Sequence, residues 1–301
     1  MWNPSPLKPG DKVGIIAPSS HQPAGKDTYI QQAVTTLQSW GLEVITQASQ
    51  ARDFYLADKD SERARQFQEI YTNNDIKAIF TTRGGYGAAR LIPYLEKMSL
   101  EPHARILAGC SDITTLLLYL HKRCDMVVFH GPCVATDQFL TEKNAPLTRD
   151  SLYQWLFNPD HTPTHQVQTI NPGQASGKLT GGCLSIVVTS LGTPYEIQTD
   201  NKILFLEDVN EPAYRIDRML THLKNAGKFD KVSGLVFGVM DQCGPDKDIL
   251  REILLNLFRD GPFPVAFGLP SGHGPFGVTL PLGHPVELNT HSGYLRFLRA
   301  L

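Results

Sequence analysis

The sequence comprises 301 residues, of which 41% are hydrophobic and 19% are charged, as in an ordinary soluble globular protein. A formal net charge of -2 and the lack of any basic run give no reason to expect nucleic acid or an anionic membrane as a partner. No stretch approaches a length of about 20 apolar residues, which a bilayer span needs, and the N-terminus lacks the apolar region of a signal peptide. We therefore expect a cytoplasmic protein of one large or two medium domains.

The five cysteines do not form a metal or redox motif. No two are spaced as C-x-x-C, and their number is odd. Such scattered cysteines are typical of thiols in a reducing cytoplasm, and we expect neither a metal nor a cofactor. The residues are Cys110, Cys124, Cys133, Cys183 and Cys243.

Short apolar runs alternate with amphipathic helical patterns over roughly the first 130 residues. The apolar runs, which predict buried strands, are 12–17, 42–45, 77–82, 106–108 and 126–129. Helical spacing of apolar residues occurs at 29–40, at about 61–71, through Leu91 and Leu95, and at 113–120. Strands that alternate with helices in this way predict a parallel, doubly wound α/β sheet.

The segment 158–175 interrupts this pattern. It is polar, contains three prolines and has no helical period, which is typical of a domain linker. We therefore predict an N-terminal α/β domain at 1–157, a linker at 158–175 and a C-terminal domain at 176–301. The second domain combines strands and helices and ends in short strands rich in Gly and Pro, so we expect it to be mixed, with some antiparallel or barrel-like β structure.

Ser111 lies where the strand at 106–108 meets the helix that starts near Ile113. A side chain at such a corner projects above the sheet edge, close to the free N–H groups of the helix. Ser111 could be a nucleophile there, or only an N-cap, because Ser and Asp are preferred capping residues. Cys110 is a rival nucleophile, but it closes a buried strand, which favours a packing role.

Two later segments supply a carboxylate and an imidazole. Glu207 ends the buried strand 203–206, where open α/β sheets present reactive side chains, although a solvated carboxylate beside Asp208 is the alternative. His273 lies in a loop of three glycines and two prolines that could orient its ring, although a loop histidine is more often a surface residue. His130, which follows another strand, is the second candidate base.

Ser111, Glu207 and His273 together supply the nucleophile, the orienting carboxylate and the base of a serine hydrolase. An imidazole must take the serine proton, and it works best when a carboxylate holds its other nitrogen. Backbone N–H groups are also needed to bind the developing oxyanion. The segment 83–87 and the N–H of Asp112 are candidates, because glycine lets the backbone approach a substrate closely.

Three other patterns favour different functions less strongly. Residues 85–90 match only part of the dinucleotide fingerprint and do not follow the first strand, which argues against nucleotide binding. The order Ser, Glu, His is also that of α/β-hydrolases, but residues 109–113 lack the second glycine of their elbow. His161 and His165 are four residues apart, but Pro163 denies them a shared helix face for a metal.

Taken in order, these segments resemble the LD-carboxypeptidases (muramoyltetrapeptide carboxypeptidases), a family of serine peptidases that also contains the microcin C immunity peptidases. The resemblance runs nearly end to end. It covers 8–20, 83–87, 109–114, 130–132, 181–184, 192–196, 206–208, 214–220 and 272–275. It implies a Rossmann-like or flavodoxin-like N-terminal domain, a smaller β-rich C-terminal domain, and a homodimer that needs no metal.

The resemblance also implies the roles of individual residues. Ser111 would be the nucleophile, Glu207 the carboxylate and His273 the base. The N–H groups of Gly85 and Asp112 would form the oxyanion hole. Since the serine comes from the first domain and its two partners from the second, the triad is expected to close only across the domain cleft.

Substrate contacts follow less directly from the sequence. Arg83, Arg215 and Arg218 are candidates to bind the terminal carboxylate of a substrate, and each could equally form a structural ion pair. The other expected contacts are Gly84, Tyr86 and Cys183. At the position of Cys183 the family more often has Asn, which is a departure from its pattern.

We therefore predict a cytoplasmic serine carboxypeptidase that removes the terminal D-Ala from the L,D-bond of muropeptide tetrapeptides in peptidoglycan recycling. The alternative within the same fold is an immunity-type peptidase that cleaves a peptidyl- or aminoacyl-nucleotide antibiotic. The alternative from another class is a two-domain binding protein with a catalytically degenerate site.

Overall fold

The computed structural model describes residues 3–98, 100, 105–244 and 247–299, with the backbone alone for residues 247 and 248. Its first strands are β1 (Lys12–Ile16), β2 (Glu43–Thr46), β3 (Ile76–Thr81), β4 (Ile106–Gly109) and β5 (Val128–His130). The helices between them are α1 (Tyr29–Ser39), α2 (Asp60–Thr72), α3 (Ile92–Leu95) and α4 (Thr114–Cys124). Every strand and helix that the sequence predicts for this region is present.

These five strands form the parallel part of the six-stranded first sheet, in the order β2-β1-β3-β4-β5. This is the flavodoxin-like order, in which ligands bind beyond the carboxyl ends of the strands. The central strands are buried except for Lys12 and Lys77 near the starts of β1 and β3, because helices cover both faces of a sheet of this kind. The predicted doubly wound sheet is confirmed.

The second part of the chain has a different architecture. It contains α5 (Asp137–Leu140), α6 (Ala145–Phe157), β6 (Thr164–Gln166), β7 (Gln168–Asn171), β8 (Gln174–Cys183), α7 (Leu184–Thr189), β9 (Lys202–Val209), α8 (Ala213–Asn225), β10 (Gly234–Asp241), α9 (Lys247–Phe258), β11 (Val265–Phe267), β12 (Leu280–Leu282), β13 (Pro285–Asn289) and β14 (Tyr294–Phe297). Among the helices described, none is both long and apolar enough to traverse a bilayer.

Eight of these strands form the second sheet, in the order β6-β14-β13-β8-β9-β10-β11-β7. The inner strands from β8 to β11 pair in parallel, and the outer strands pair antiparallel. The expected mixed, β-rich second part is therefore confirmed.

The chain passes between the two sheets near its C-terminal end. After β11, it enters the first sheet as β12, which pairs antiparallel with β5, and it then returns to the second sheet as β13. The segment 158–175 contributes β6 and β7 to opposite edges of the second sheet. The domain boundaries remain a prediction. The two sheets share the segment from β11 to β13, because β12 lies in the first sheet and β11 and β13 lie in the second.

The parallel pair β8–β9 depends on a glycine. Gly181 on β8 is paired with Phe205 on β9 and has a φ of +136°, a region that favours glycine. A Cβ atom on Gly181 would overlap the carbonyl oxygen of Phe205. The same register places Cys183 opposite Glu207, so this close packing fixes the end of β9 that carries the candidate carboxylate.

We predict that Gly181→Ala lowers the free energy of unfolding by about 3 kcal/mol, because it combines a backbone clash with a left-handed conformation. Gly192→Ala is the matched control. Gly192 also has a positive φ, +73°, but a Cβ there would have no neighbour within 4 Å. This control is expected to cost about 1 kcal/mol. Urea denaturation measures both values, and equal losses would contradict the role of the β8–β9 approach.

Candidate active site

Ser111 occupies a strained corner between strand and helix. Its φ of +60° is a left-handed conformation that residues other than glycine adopt uncommonly. β4 ends at Gly109, Ser111–Ile113 forms a single 3-10 turn, and α4 begins only at Thr114. Neither of these helix starts has a side-chain cap in the described chain, so the structure does not support an N-cap role for Ser111. Strain of this kind clusters at functional sites.

The loop after β3 packs directly against this corner. A Cβ atom on Gly84 would lie 2.6 Å from Cβ and 2.8 Å from Oγ of Ser111, and 3.3 Å from the backbone nitrogen of Asp112. Gly85 has a φ of +107°, and a Cβ atom there would overlap Ser20. The predicted oxyanion-hole donors, Gly85 and Asp112, therefore lie on the two segments that meet at Ser111.

The side chain of Asp112 ties three segments together. Its buried carboxylate accepts a hydrogen bond of 2.6 Å from Oγ of Ser19 and one of 2.8 Å from the backbone N–H of Ala88. Burial raises the pKa of Asp112, and these two hydrogen bonds oppose the shift. The serine corner is thereby fixed to the loop after β1 and to the glycine-rich loop after β3.

Glu207 and His273 form a buried pair at the carboxyl end of β9. Glu207 is fully buried, and its Oε2 accepts hydrogen bonds from the backbone N–H of His273 at 3.1 Å and from Nδ1 of the ring at 2.7 Å. A carboxylate can only accept, so in the neutral ring Nδ1 carries the proton and Nε2 is left to accept one. A Cβ atom on Gly272 would overlap Oε2 of Glu207, so glycine at this position permits the pairing.

The pKa values of the two groups shift in opposite directions. Burial lowers the pKa of His273, but the charge of Glu207 and its hydrogen bond more than offset this and raise the pKa to about 9. For Glu207 the directions are reversed. Burial raises its pKa, but the charge and hydrogen bonds of His273 outweigh the effect of burial, so the pKa of Glu207 lies below its usual value. With a pKa of about 9, the imidazole holds its second proton more tightly than an ordinary histidine, and the neutral ring predominates only above about pH 9.

The loop between β11 and β12 is bound by helices from the other side of the site. Gln138 in α5 donates from Nε2 to the carbonyl oxygens of Gly272 at 2.7 Å and Gly274 at 2.8 Å. Trp155 in α6 donates from Nε1 to the carbonyl oxygen of Thr279 at 2.9 Å. The sequence analysis missed Gln138, because a helix of four residues has no apolar period and its partner lies 134 residues away.

A cavity of about 190 Å³ connects the candidate residues. Ser111 and His273 both line it, together with Arg83, Gly84 and Gly85. The remaining lining residues are Cys110, Cys133, Thr136 and Gln138. The structure thus brings the predicted nucleophile and base into one space, with the carboxylate bound behind the imidazole.

Three other predicted contacts lie outside this lining. Tyr86 is half-exposed. Cys183 is buried, with its Sγ 3.6 Å from Oδ1 of Asp208, and Arg215 is exposed on α8, 3.5 Å from the carboxylate of Glu211. Contacts with the neighbouring strand β9 hold the side chain of Cys183, and the ion pair with Glu211 holds that of Arg215. Within the described residues no group of three or more His, Cys, Asp and Glu is placed to bind a metal ion.

We predict that Glu207→Gln moves the pKa of His273 from about 9 to 6.5 or below, because the charge is lost and the lowering effect of burial remains. Nitrogen-15 NMR of the imidazole measures the shift. Asp208→Asn is the control and should change this pKa less, since Asp208 acts on His273 only by its charge.

The raised pKa of His273 also makes the stability of the folded protein depend on pH. The stability contributed by the pair is complete below about pH 6.5 and is lost as pH rises through 9.

A pKa of His273 that is unaltered in Glu207→Gln would contradict the assignment of the pair. An equal fall in the two variants would show that diffuse charge, rather than the hydrogen-bonded carboxylate, sets the basicity of the ring.

Comparison with protein families identifies both parts of the chain. Residues 13–131 match the LD-carboxypeptidase N-terminal domain, and residues 176–288 match the LD-carboxypeptidase C-terminal domain. Ser111 falls within the first match, and Glu207 and His273 fall within the second.

Individual relatives cover nearly the whole chain. A probable murein peptide carboxypeptidase of Bacillus subtilis is 34% identical over 96% of this chain and 92% of its own. The crystal structure of a muramoyltetrapeptide carboxypeptidase from Oxalobacter formigenes superposes with a TM-score of 0.84 at 30% identity, covering 95% of this chain and 97% of that one. The microcin C7 self-immunity protein MccF of Escherichia coli is 25% identical over 93% of this chain and 90% of its own.

Proposed function

Since the chain belongs to the LD-carboxypeptidase family, we propose that it is a serine carboxypeptidase that removes the terminal D-Ala from the L,D-bond of muropeptide tetrapeptides. The observation that carries the proposal is the cavity shared by Ser111, on its left-handed corner, and His273, whose Nδ1 is bound by Glu207. A hydroxyl, an imidazole and a buried carboxylate are the parts of an acyl-transfer site.

The reaction proceeds in two steps. Oγ of Ser111 attacks the carbonyl carbon of the third residue of the tetrapeptide, which is bonded to the nitrogen of D-Ala, and Nε2 of His273 takes the serine proton. The imidazolium then protonates the nitrogen of D-Ala, the C–N bond breaks, and an acyl-enzyme remains. His273 next removes a proton from a water molecule that attacks the ester, which releases the shortened peptide and returns the proton to Ser111. Glu207 stabilises the imidazolium in both steps.

The oxyanion of each step would accept hydrogen bonds from the N–H groups of Gly85 and Asp112. Two contacts support this assignment. Gly84 brings the loop before Gly85 to within van der Waals contact of Ser111, and the carboxylate of Asp112 holds its own backbone in place through Ser19. Donors fixed in this way need no reorganisation when the charge develops.

Arg83 is the proposed partner of the terminal carboxylate of D-Ala. Of the three candidate arginines, it is the one that lines the cavity, and its Nη1 donates to the carbonyl oxygen of His21 at 2.9 Å, which orients the guanidinium. A cavity of about 190 Å³ is smaller than the sites that bind drug-sized ligands, which supports binding of a single terminal residue. Gly84 and Tyr86 are the further substrate contacts that we propose.

We further propose that the enzyme acts in the cytoplasm, as a homodimer, on peptides recycled from peptidoglycan. Cys110 and Cys133 line the cavity as thiols, and a reducing compartment keeps thiols in that state. The dimer and the recycling role rest on the family resemblance.

The similarity to the self-immunity protein MccF, which has been solved in complex with aspartyl sulfamoyl adenosine, supports one alternative substrate, a peptidyl- or aminoacyl-nucleotide. The same serine chemistry would cleave its acyl bond. The identity of 34% to a murein peptide carboxypeptidase, against 25% to MccF, favours the peptide substrate.

We predict that the purified protein releases D-Ala from an L-Ala-D-Glu-diaminopimelate-D-Ala tetrapeptide and that Ser111→Ala lowers kcat by a factor on the order of 10³ or more. The binding affinity should change little, because the hydroxyl acts mainly in the transition state. Chromatographic detection of D-Ala measures the reaction. Ser39→Ala, at the exposed end of α1, is the control and should retain full activity.

Three results would separate the alternatives. Turnover in Ser111→Ala equal to that of the wild type would refute the serine mechanism. Cleavage of an aminoacyl-sulfamoyl adenylate in preference to the tetrapeptide would favour the immunity-type peptidase. Failure of a fluorophosphonate to label Ser111 would favour a binding protein with a degenerate site.

A further inference from the structure

The second oxygen of the buried carboxylate faces another histidine. Oε2 of Glu207 accepts both hydrogen bonds from His273, whereas Oε1 has no hydrogen-bond partner among the described residues. The ring of His130 lies next to it, with Nε2 at 3.8 Å from Oε1. His130 is 1% exposed, and neither of its ring nitrogens has a hydrogen-bond partner in the described chain.

The position of His130 is set by contacts in both sheets and not by the carboxylate. His130 ends β5, where it pairs with Gly109 on one side and Leu280 on the other. Its ring packs edge-on against Phe205, with the ring centroids 5.0 Å apart. The imidazole is therefore held at the carboxylate by elements that come from both sheets.

Bulk solvent is not an alternative partner for these atoms. The cavity next to His130 has a volume of about 10 Å³, which holds one water molecule at most, and Glu207 is not among its lining residues. A buried carboxylate oxygen without a hydrogen-bond donor costs free energy. The 3.8 Å between Nε2 of His130 and Oε1 of Glu207 is too long for a hydrogen bond, but a small shift of either side chain closes it.

The charge state of His130 suits a donor. Burial lowers its pKa to about 4, with the charge of Glu207 opposing the shift, so the ring is neutral near pH 7 and carries one N–H. A neutral N–H stabilises the carboxylate without competing with His273 for the role of counter-ion. His130 was the second candidate base in the sequence, but it does not line the cavity that contains Ser111.

We propose that His130 is a positioning residue, whose Nε2–H donates a hydrogen bond to Oε1 of Glu207 and holds the carboxylate in the orientation that Nδ1 of His273 requires. The inference rests on the proposed serine mechanism and deepens it. It adds a fourth side chain behind the serine, the imidazole and the carboxylate, and this side chain comes from the first sheet.

The test compares variants that keep or remove the N–H donor. His130→Phe keeps a ring of similar size without a donor, and His130→Leu removes both. His130→Gln places an amide N–H at a similar reach. We expect kcat to fall about 10- to 100-fold in both donor-less variants, with KM within about twofold, and to recover most of this loss in His130→Gln.

The second readout does not depend on the natural substrate. A fluorophosphonate labels Ser111 with loss of fluoride, and the rate of labelling reports the reactivity of the serine directly. This rate should fall in His130→Phe and His130→Leu by the same factor as kcat and should recover in His130→Gln. His284→Phe is the control, because His284 is also fully buried but binds the carbonyl oxygen of Arg299. It should lower the melting temperature and leave both rates unchanged.

A folded donor-less variant with wild-type labelling rate and kcat would overturn the inference, and so would a His130→Gln variant as slow as His130→Phe. If neither donor-less variant folds, kcat and the labelling rate of His130→Gln test the proposal. A decrease of more than tenfold in these rates relative to the wild type would reject the role of His130. A wild-type protein that is labelled but releases no D-Ala would reject the proposed substrate alone. A wild-type protein that is not labelled would reject the serine mechanism, and this role with it.

Discussion

The arrangement of the site depends on one buried charge, the carboxylate of Glu207. An ionised carboxylate out of water is costly unless hydrogen bonds and an opposite charge compensate it. His273 supplies both, through its backbone N–H, its Nδ1 and the charge of its ring. Because Glu207 is fully buried, water does not weaken this interaction, and the pKa of His273 rises to about 9. The buried charge and the hydrogen bond of Glu207 are thus the reason why the pKa of His273 lies above that of an ordinary histidine.

The two halves of the site are held together by secondary structure. Ser111 follows β4 and His273 precedes β12, and both of these strands pair with β5 in the first sheet. Gln138 binds the carbonyl groups on both sides of His273, while Glu207 is fixed on β9 of the second sheet. Separating the sheets would break the hydrogen bonds between Glu207 on β9 and His273, because β12 and Gln138 hold the loop of His273 to the first sheet. The candidate site therefore lies where the two sheets meet, and closure of the triad across a domain cleft stays a prediction.

Local patterns predicted part of this structure, and tertiary contacts decided the rest. The parallel sheet and the corner at Ser111 could be predicted, because apolar runs and helical spacing are properties of contiguous residues. The strands at 164–171 could not, since they lie at the sheet edges, are half-exposed and show no apolar alternation. Gln138 and His130 acquire their contacts from strands and loops far away in the chain, and neither has a sequence pattern that reports such contacts.

The strained backbone of Ser111 is stable because its surroundings leave it no relaxed alternative. A left-handed residue costs about 1–2 kcal/mol, and it persists only where the neighbouring contacts determine it. Here the adjacent Asp112 is bound through its carboxylate to Ser19 and Ala88, and Gly84 packs against the serine from the other side. A relaxed corner would break these buried hydrogen bonds and open the contact with the glycine loop. The same contacts that hold the strain also fix Gly84 and the backbone of Asp112 next to Ser111, so the strained corner and its rigid surroundings have one structural origin.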